Sequence, residues 1–230
     1  MDIASYIDST NVKPEATAAD IKKLCADAIQ YRFHSVCVTP FRVKDAKVAL
    51  EGQTTDIICV VGFPYGFTTT EEKINEAKTA LEDGATEIDM VINIGAVKDG
   101  NWQYVEDEIR QVAQAIAPAG LKVIMEIGFL TRDELIHACK VAQSAGAAFV
   151  KTSTGFGPRT PTVEDIKIMR QTVGEKMGVK ASGGIHTLEQ AQAMIEAGAN
   201  RIGTSSALQI IGVEESENNP PASGNARSTE

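Results

Sequence analysis

Four ionisable residues stand at positions where charge is costly. They fall within short β-branched runs: Asp89 in Glu87–Asn93, Glu126 in Lys122–Ile127, Lys151 in Ala148–Ser153 and Lys180 in Val179–Ser182. Successive side chains of a strand point to opposite faces. The sets Ile88, Met90, Ile92; Val123, Met125, Ile127; Val150, Thr152; and Val179, Ala181 take one face. That leaves Asp89 with Asn93, Glu126, Lys151 with Phe149 and Ser153, and Lys180 with Ser182 on the other. A strand buried on both faces tolerates charge only when it is paired or put to chemical use. Desolvation and a neighbouring cation both disfavour an ammonium ion, so of two lysines on consecutive strands one can be a neutral amine that attacks a carbonyl. Carboxylates beside it can move the protons of carbinolamine formation and deprotonation. The chemistry indicated is that of a Schiff-base aldolase, or a close relative, acting on a sugar phosphate. The competing reading is a salt-bridge plug that fills the interior and does nothing else.

The loops that follow these runs argue for the chemical reading. They are Thr152-Ser153-Thr154-Gly155-Phe156-Gly157, Ala181-Ser182-Gly183-Gly184-Ile185 and Gly203-Thr204-Ser205-Ser206. Glycine lets backbone N–H groups approach an anion, and Ser205-Ser206 would open a short helix whose N-terminus favours phosphate. Metal chemistry has little support, because His34, His137 and His186 are far apart and form no H-x-H or H-E-x-x-H spacing. No metal is expected. Cys37 shares a face with Ser35 and Thr39 and reads most simply as a small filling thiol.

Positioning such residues requires a repeated scaffold. Strand-like runs at Tyr6–Asp8, Ser35–Thr39, Asp56–Gly62, Glu87–Asn93, Lys122–Ile127, Ala148–Ser153, Val179–Ser182 and Arg201–Thr204 alternate with amphipathic segments near 18–31, 41–51, 70–83, 101–117, 131–145, 162–173 and 187–197. Thr70 before Glu71-Glu72 and Thr187 before Glu189 read as helix starts, with Gly84 and Gly198 just past the ends. Related phrases mark helix-to-strand passages: Glu82-Asp83-Gly84-Ala85, Gln143-Ser144-Ala145-Gly146-Ala147 and Ile195-Glu196-Ala197-Gly198-Ala199. Eight βα units at about one per 26 residues predict a single-domain α/β fold, the (β/α)8 TIM barrel, over residues 1–213. A doubly wound open sheet is the competing architecture, and the Gly-rich dinucleotide fingerprint is missing after the first strand. Residues 214–230 contain no apolar side chain larger than alanine and are expected to form a flexible tail.

Composition closes off other classes. The 230 residues carry 31 acids against 22 Lys and Arg, a formal charge of −9. With no basic block this predicts no nucleic-acid partner. No run approaches the roughly 20 apolar residues of a membrane span, and no signal peptide is legible at Met1–Tyr6. Cys25, Cys37, Cys59 and Cys139 form no C-x-x-C pair and read as reduced thiols, consistent with a cytoplasmic protein.

Several strings resemble the deoxyribose-phosphate aldolase family: Glu87-Ile88-Asp89-Met90-Val91-Ile92-Asn93-Ile94-Gly95-Ala96, Phe149-Val150-Lys151-Thr152-Ser153-Thr154-Gly155-Phe156-Gly157 and Val179-Lys180-Ala181-Ser182-Gly183-Gly184-Ile185. Ser35-Val36-Cys37-Val38, Gly62-Phe63-Pro64 and Arg201-Ile202-Gly203-Thr204-Ser205-Ser206 extend the likeness over residues 5–211. The resemblance implies reversible, cofactor-free cleavage of 2-deoxy-D-ribose 5-phosphate to acetaldehyde and D-glyceraldehyde 3-phosphate by a homo-oligomer, dimer or tetramer. It further implies that Lys151 forms the imine, Lys180 lowers its pKa and Asp89 relays protons. Gly155, Gly183, Gly184, Ser205 and Ser206 would hold phosphate, and Asp8, Thr10, Cys37 and Glu126 would support the pocket. The chain departs from the family pattern at Ser9, Thr39, the Glu126-Ile127-Gly128-Phe129-Leu130 segment, and His186, where arginine is usual after the paired glycines. Its C-terminal segment also lacks the tyrosine that some members use. Other readings on the same scaffold are a different lysine aldolase or isomerase of sugar phosphates, or a non-catalytic sugar-phosphate binder.

Overall fold

The repeated helix-to-strand phrases build the same turn three times. Gly84, Gly146 and Gly198 take positive φ of 115°, 88° and 115°, a conformation that glycine adopts without the Cβ penalty. The following alanine then donates back across the helix end, Ala85 N to Ala80 O, Ala147 N to Ala142 O and Ala199 N to Met194 O. One residue later the chain is already bonded to the preceding strand, through Thr86 N to Ile57 O, Ala148 N to Leu121 O and Asn200 N to Val179 O. Each helix is thus returned to the sheet at a set offset, which is what a regular parallel array needs.

A computed structural model describes residues 2–213 of the chain. Its strands are β1 (Ile7–Asn11), β2 (Ser35–Val38), β3 (Asp56–Val61), β4 (Glu87–Val91), β5 (Gly120–Ile124), β6 (Phe149–Lys151), β7 (Gly178–Ser182) and β8 (Arg201–Thr204). Each pairs in parallel with the next, and β1 pairs with β8, so the sheet closes into an eight-stranded barrel. Closure disposes of the open-sheet alternative. The helices are α1 (Ala18–Tyr31), α2 (Val43–Ala49), α3 (Thr70–Glu82), α4 (Ile94–Lys98), α5 (Trp102–Ile116), α6 (Arg132–Ser144), α7 (Val163–Val173), α8 (Leu188–Glu196) and α9 (Ala207–Ile210). The expected tail, 214–230, lies outside the described residues.

Helix starts follow from their caps. Thr17, Thr131, Thr162 and Thr187 each form a reciprocal capping box, with Asp20, Glu134, Asp165 and Gln190 as partners. One expectation shifts here. The cap of α3 is Thr69 and not Thr70, because Thr69 is the residue whose hydroxyl accepts from Glu72 N. Thr187 caps α8 as expected, with Gln190 as its capping-box partner and Glu189 in the first turn. Strand ends shift as well: β1 runs on to Asn11, β5 begins at Gly120 and ends at Ile124, and β6 stops at Lys151.

The apolar core lies between strands and helices. Val36, Cys59, Ile88, Met90, Val123, Val150, Val179 and Ile202 are fully buried on the outer face of the barrel, against the helical ring. Inside the barrel the buried apolar cluster is small, Cys37, Ile58 and Val60, and comes from β2 and β3 alone. Val91 and Ile124, also buried, share the inward phase of Asp89 and Lys122, and beside them the interior is ionic. One further ion pair is sealed outside the barrel wall, where Lys73 of α3 meets Glu108 of α5 at 2.9 Å with both side chains wholly buried. Lys73 Nζ also donates to Val91 O at 2.9 Å, and Glu108 accepts from the Asn93 N–H, so the pair grips the chain where it leaves β4.

Candidate active site

Strand register decides which charges meet. Asp89 is aligned with Lys122, and Lys151 with Lys180, which in turn is aligned with Arg201. All of these side chains point into the barrel. Lys151 Nζ and Lys180 Nζ each lie 2.8 Å from the same oxygen, Asp89 Oδ2. Lys122 Nζ sits 3.1 Å from Asp89 Oδ1 and 2.7 Å from Glu87 Oε2. Lys180 is also 2.6 Å from Asp8 Oδ2, while Asp8 Oδ1 accepts from Ser35 Oγ at 2.7 Å and Arg201 Nε at 2.8 Å. Arg201 Nη2 donates to Glu87 Oε2 at 2.9 Å and closes the network.

Electrostatics keep this column ionised. Burial alone would raise the carboxyl of Asp89, yet Lys122, Lys151 and Lys180 together hold it well below the usual carboxylate range. Asp8 is likewise lowered, its burial outweighed by Lys180, Arg201 and Lys122. Burial works against the ammonium of Lys180, but Asp8 and Asp89 prevail and push its titration upward, so Lys180 remains a cation. Burial pushes the Cys37 thiol up, which keeps it neutral.

Above the column opens a cleft of about 1190 Å³. Lys151 is the one lysine of the column that lines it, together with Thr10, Phe63, Ser182 and the loops bearing Gly155, Gly183, Gly184, Ser205 and Ser206. Gly155, Gly183 and Gly184 have φ of 92°, 101° and 71°, a region that non-glycine residues rarely enter. Phe63 and Phe156 meet edge to face at 5.5 Å across the mouth. His186 turns its Nδ1 to Ser206 Oγ at 2.9 Å and lines the same wall.

The structure therefore brings Asp89, Lys151 and Lys180 onto one oxygen, with Asp8 and Cys37 buried below the cleft floor and Thr10 on its wall. Glu126 is placed differently from the sequence expectation. It follows β5 with a left-handed φ of 50°, and its Oε2 accepts from the backbone N–H and hydroxyl of Thr154 instead of meeting a lysine. The interior is also not a balance of Asp89 and Glu126 against Lys151 and Lys180. Glu87, Lys122 and Arg201 belong to it too, and sequence reasoning missed them. Strand parity was the available signal, since Glu87 stands two residues before Asp89, and Lys122 and Arg201 share the inward phase of Glu126 and Gly203. A salt-bridge plug and a cleft-facing lysine thus occur in one barrel, the plug beneath and the lysine above.

A closed β/α barrel with a cleft-facing lysine over a buried ionic column defines a TIM-barrel aldolase. The comparisons with known proteins narrow that class. The model of the "DeoC/LacD family aldolase" matches residues 3–212, and the chain belongs to that family. A protein of Thermococcus gammatolerans named deoxyribose-phosphate aldolase is 59% identical over 215 residues, covering 92% of this chain and 96% of that protein. A solved structure from Coccidioides immitis, 40% identical, superposes with a TM-score of 0.90 over 91% of this chain and 84% of the other. The tetrameric deoxyribose phosphate aldolase of Aeropyrum pernix, 33% identical, gives a TM-score of 0.86 over 91% and 89%. Among the described residues no helix is long and apolar enough to cross a membrane.

Proposed function

We infer that the chain cleaves 2-deoxy-D-ribose 5-phosphate reversibly to acetaldehyde and D-glyceraldehyde 3-phosphate through an imine on Lys151. The observation that carries this reading is the placement of Lys151: its Nζ shares Asp89 Oδ2 with the buried cation Lys180 and is the only lysine of that column on the cleft. A fixed positive charge beside it favours the neutral amine, which attacks the C1 aldehyde of the open-chain sugar. Asp89, within hydrogen-bond reach of Nζ, carries the proton that passes from nitrogen to the carbinolamine oxygen as water departs. Loss of the C3 hydroxyl proton then breaks the C2–C3 bond, and its electron pair enters the iminium to give an enamine and glyceraldehyde 3-phosphate. Protonation of the enamine at C2 and hydrolysis release acetaldehyde and restore the amine.

The phosphate belongs at the loops of Gly155, Gly183, Gly184, Ser205 and Ser206, which line the cleft and whose three glycines take the positive φ that lets backbone N–H groups cradle an anion. Thr10, Asp8, Cys37 and Glu126 support the pocket, Asp8 by holding Lys180 and Glu126 by holding Thr154. No metal or organic cofactor enters this scheme. Residues 1–213 are read as the aldolase domain and 214–230 as a tail, in a cytoplasmic homo-oligomer, dimer or tetramer. The tetramer of the Aeropyrum pernix relative and the exposure of Phe41 and Phe67 support the oligomer. The test of the reaction is acetaldehyde with borohydride followed by peptide mass spectrometry. A reduced adduct on Lys151 together with cleavage of the sugar phosphate is expected. No adduct there refutes the imine, and an adduct without cleavage points to another aldol substrate.

A further inference from the structure

The column beneath Lys151 carries unequal charge. Around the barrel β1 contributes Asp8, β4 Glu87 and Asp89, β5 Lys122, β6 Lys151, β7 Lys180 and β8 Arg201, joined by contacts of 2.6 to 3.1 Å. β3 faces inward with Ile58 and Val60, and β2 with Cys37, whose buried thiol stays neutral. His34, just before β2, meets Arg201 Nη1 with its Nε2 at 2.5 Å. Arginine can only donate, so Nε2 accepts and the ring proton is on Nδ1, which faces Asp56 at 3.9 Å. Glu126, beyond the end of β5, is held by Thr154 and bridges no member of the column. With every member ionised, three carboxylates stand against four cations.

A surplus charge in a desolvated interior is relieved where a group can release a proton. Arg201 cannot. Lys180 is held by Asp8 and Asp89, and Lys122 by Glu87 and Asp89. Lys151 has Asp89 alone, on an oxygen it shares with Lys180. We propose that Arg201 is a positioning residue for the reaction, supplying from the floor of the barrel the surplus positive charge that leaves Lys151 an uncharged amine, with Glu87 as the counter-charge that limits it. This deepens, and rests on, the reading of Lys151 as the imine-forming lysine. Neither Arg201 nor Glu87 touches Lys151 or lines the cleft, so they act on it through their charge and the ion pairs of Asp8, Lys180, Lys122 and Asp89 that lie between.

The two residues carry opposite signs, and the test uses that. The rate of reductive labelling of Lys151 by acetaldehyde and cyanoborohydride is followed against pH in the wild type, Arg201→Gln, Arg201→Lys and Glu87→Gln. The pH of half-maximal labelling is expected to rise by about one unit or more in Arg201→Gln and to fall by a similar amount in Glu87→Gln. Arg201→Lys, which keeps the charge, should stay near the wild type. General loosening of the barrel would reduce the labelling rate in every variant without moving the midpoints apart. Midpoints that do not move, or that move together, overturn the proposal. If Arg201→Gln fails to fold, Glu87→Gln and Arg201→Lys still decide it. A wild-type protein left unlabelled at Lys151 overturns the lysine assignment itself, whereas label with unmoved midpoints overturns only the role of Arg201.

Discussion

The Lys73–Glu108 pair behind β4 makes a sharp energetic prediction. Both side chains are wholly buried, and burial drives Lys73 downward and Glu108 upward in pKa, each rescued in part by the other. Lys73→Met keeps an apolar stem beside Gly62 but leaves the Glu108 carboxylate with Asn93 N–H and Tyr104 as remaining partners. Glu108→Leu leaves the Lys73 ammonium with Val91 O as its hydrogen-bond acceptor and only the more distant charge of Glu76. Each single change strands a buried charge, at a cost of about 3–5 kcal/mol. The double variant strands none. It forfeits the bonds to Val91 O and Asn93 N, at roughly 1–2 kcal/mol each, about 2–4 kcal/mol in all. The sum of the singles is then roughly 6–10 kcal/mol, so the coupling energy should be at least about 2 kcal/mol in favour of the double variant. Urea unfolding of the four proteins at pH 7, followed by circular dichroism, measures it. A double variant destabilised by the sum of the singles, within about 0.5 kcal/mol, would refute the argument that uncompensated charge is what the singles suffer from.

Three further outcomes follow from particular residues. A Cβ at Gly203 would meet Ser182 Cβ at 2.9 Å and Lys180 Cε at 3.0 Å, whereas one at Gly100 meets nothing within 4 Å. Gly203→Ala should therefore lose about 1–3 kcal/mol by overpacking and most of its Lys151 labelling, while Gly100→Ala keeps its labelling and pays only for a φ of +68°. Unfolding free energies and labelling of both check this. Asp8 and Asp89 titrate lower folded than unfolded. Their stabilisation is complete above the unfolded value of about 3.9 and is lost as pH falls below it; unfolding free energy should be flat for these groups from pH 6 to 8 and drop below about pH 4, as urea titrations at stepped pH would show. Replacing His186 by Arg puts a permanent cation beside Ser206 on the cleft wall. His186→Arg should lower KM for the sugar phosphate by about fivefold, near 1 kcal/mol, with kcat little changed; an unchanged KM would remove this wall from the phosphate site.

The repeat of strands, the barrel and the lysine pair were legible because their causes are local. Alternation of apolar and charged residues within short runs assigns Asp89, Lys151 and Lys180 to one face without knowledge of any partner strand. The helix-end phrases around Gly84, Gly146 and Gly198 each encode one turn, and that turn recurs as expected. What escaped notice depended on context that a single run does not hold. Lys122 and Arg201 stand near strand starts, where a charge reads as a solvated end, and only closure of β8 onto β1 brings Arg201 to Asp8. Glu126 obeys the alternation on paper, but β5 ends at Ile124 and the backbone turns left-handed before the parity can act. Lys73 and Glu108 are one residue each on two amphipathic helices, and nothing in either helix alone marks them as a pair.

The contacts of the ionic column join β1 to β7 and β8, and β4 to β5, β6, β7 and β8. A strand that slipped by one residue would turn its charges out of the barrel. A slip of two would keep them inside but carry them about 6.6 Å along the axis, beyond reach of any partner. An apolar barrel interior has no comparable way to distinguish such staggers, because one aliphatic layer replaces another at small cost. Here a slip of any strand that carries the column, β1 or β4 to β8, strands a charge. The groups read as making and serving the imine are thereby also the key that selects one stagger of these six strands over its neighbours, so a slip at any of them costs the protein its site together with its register.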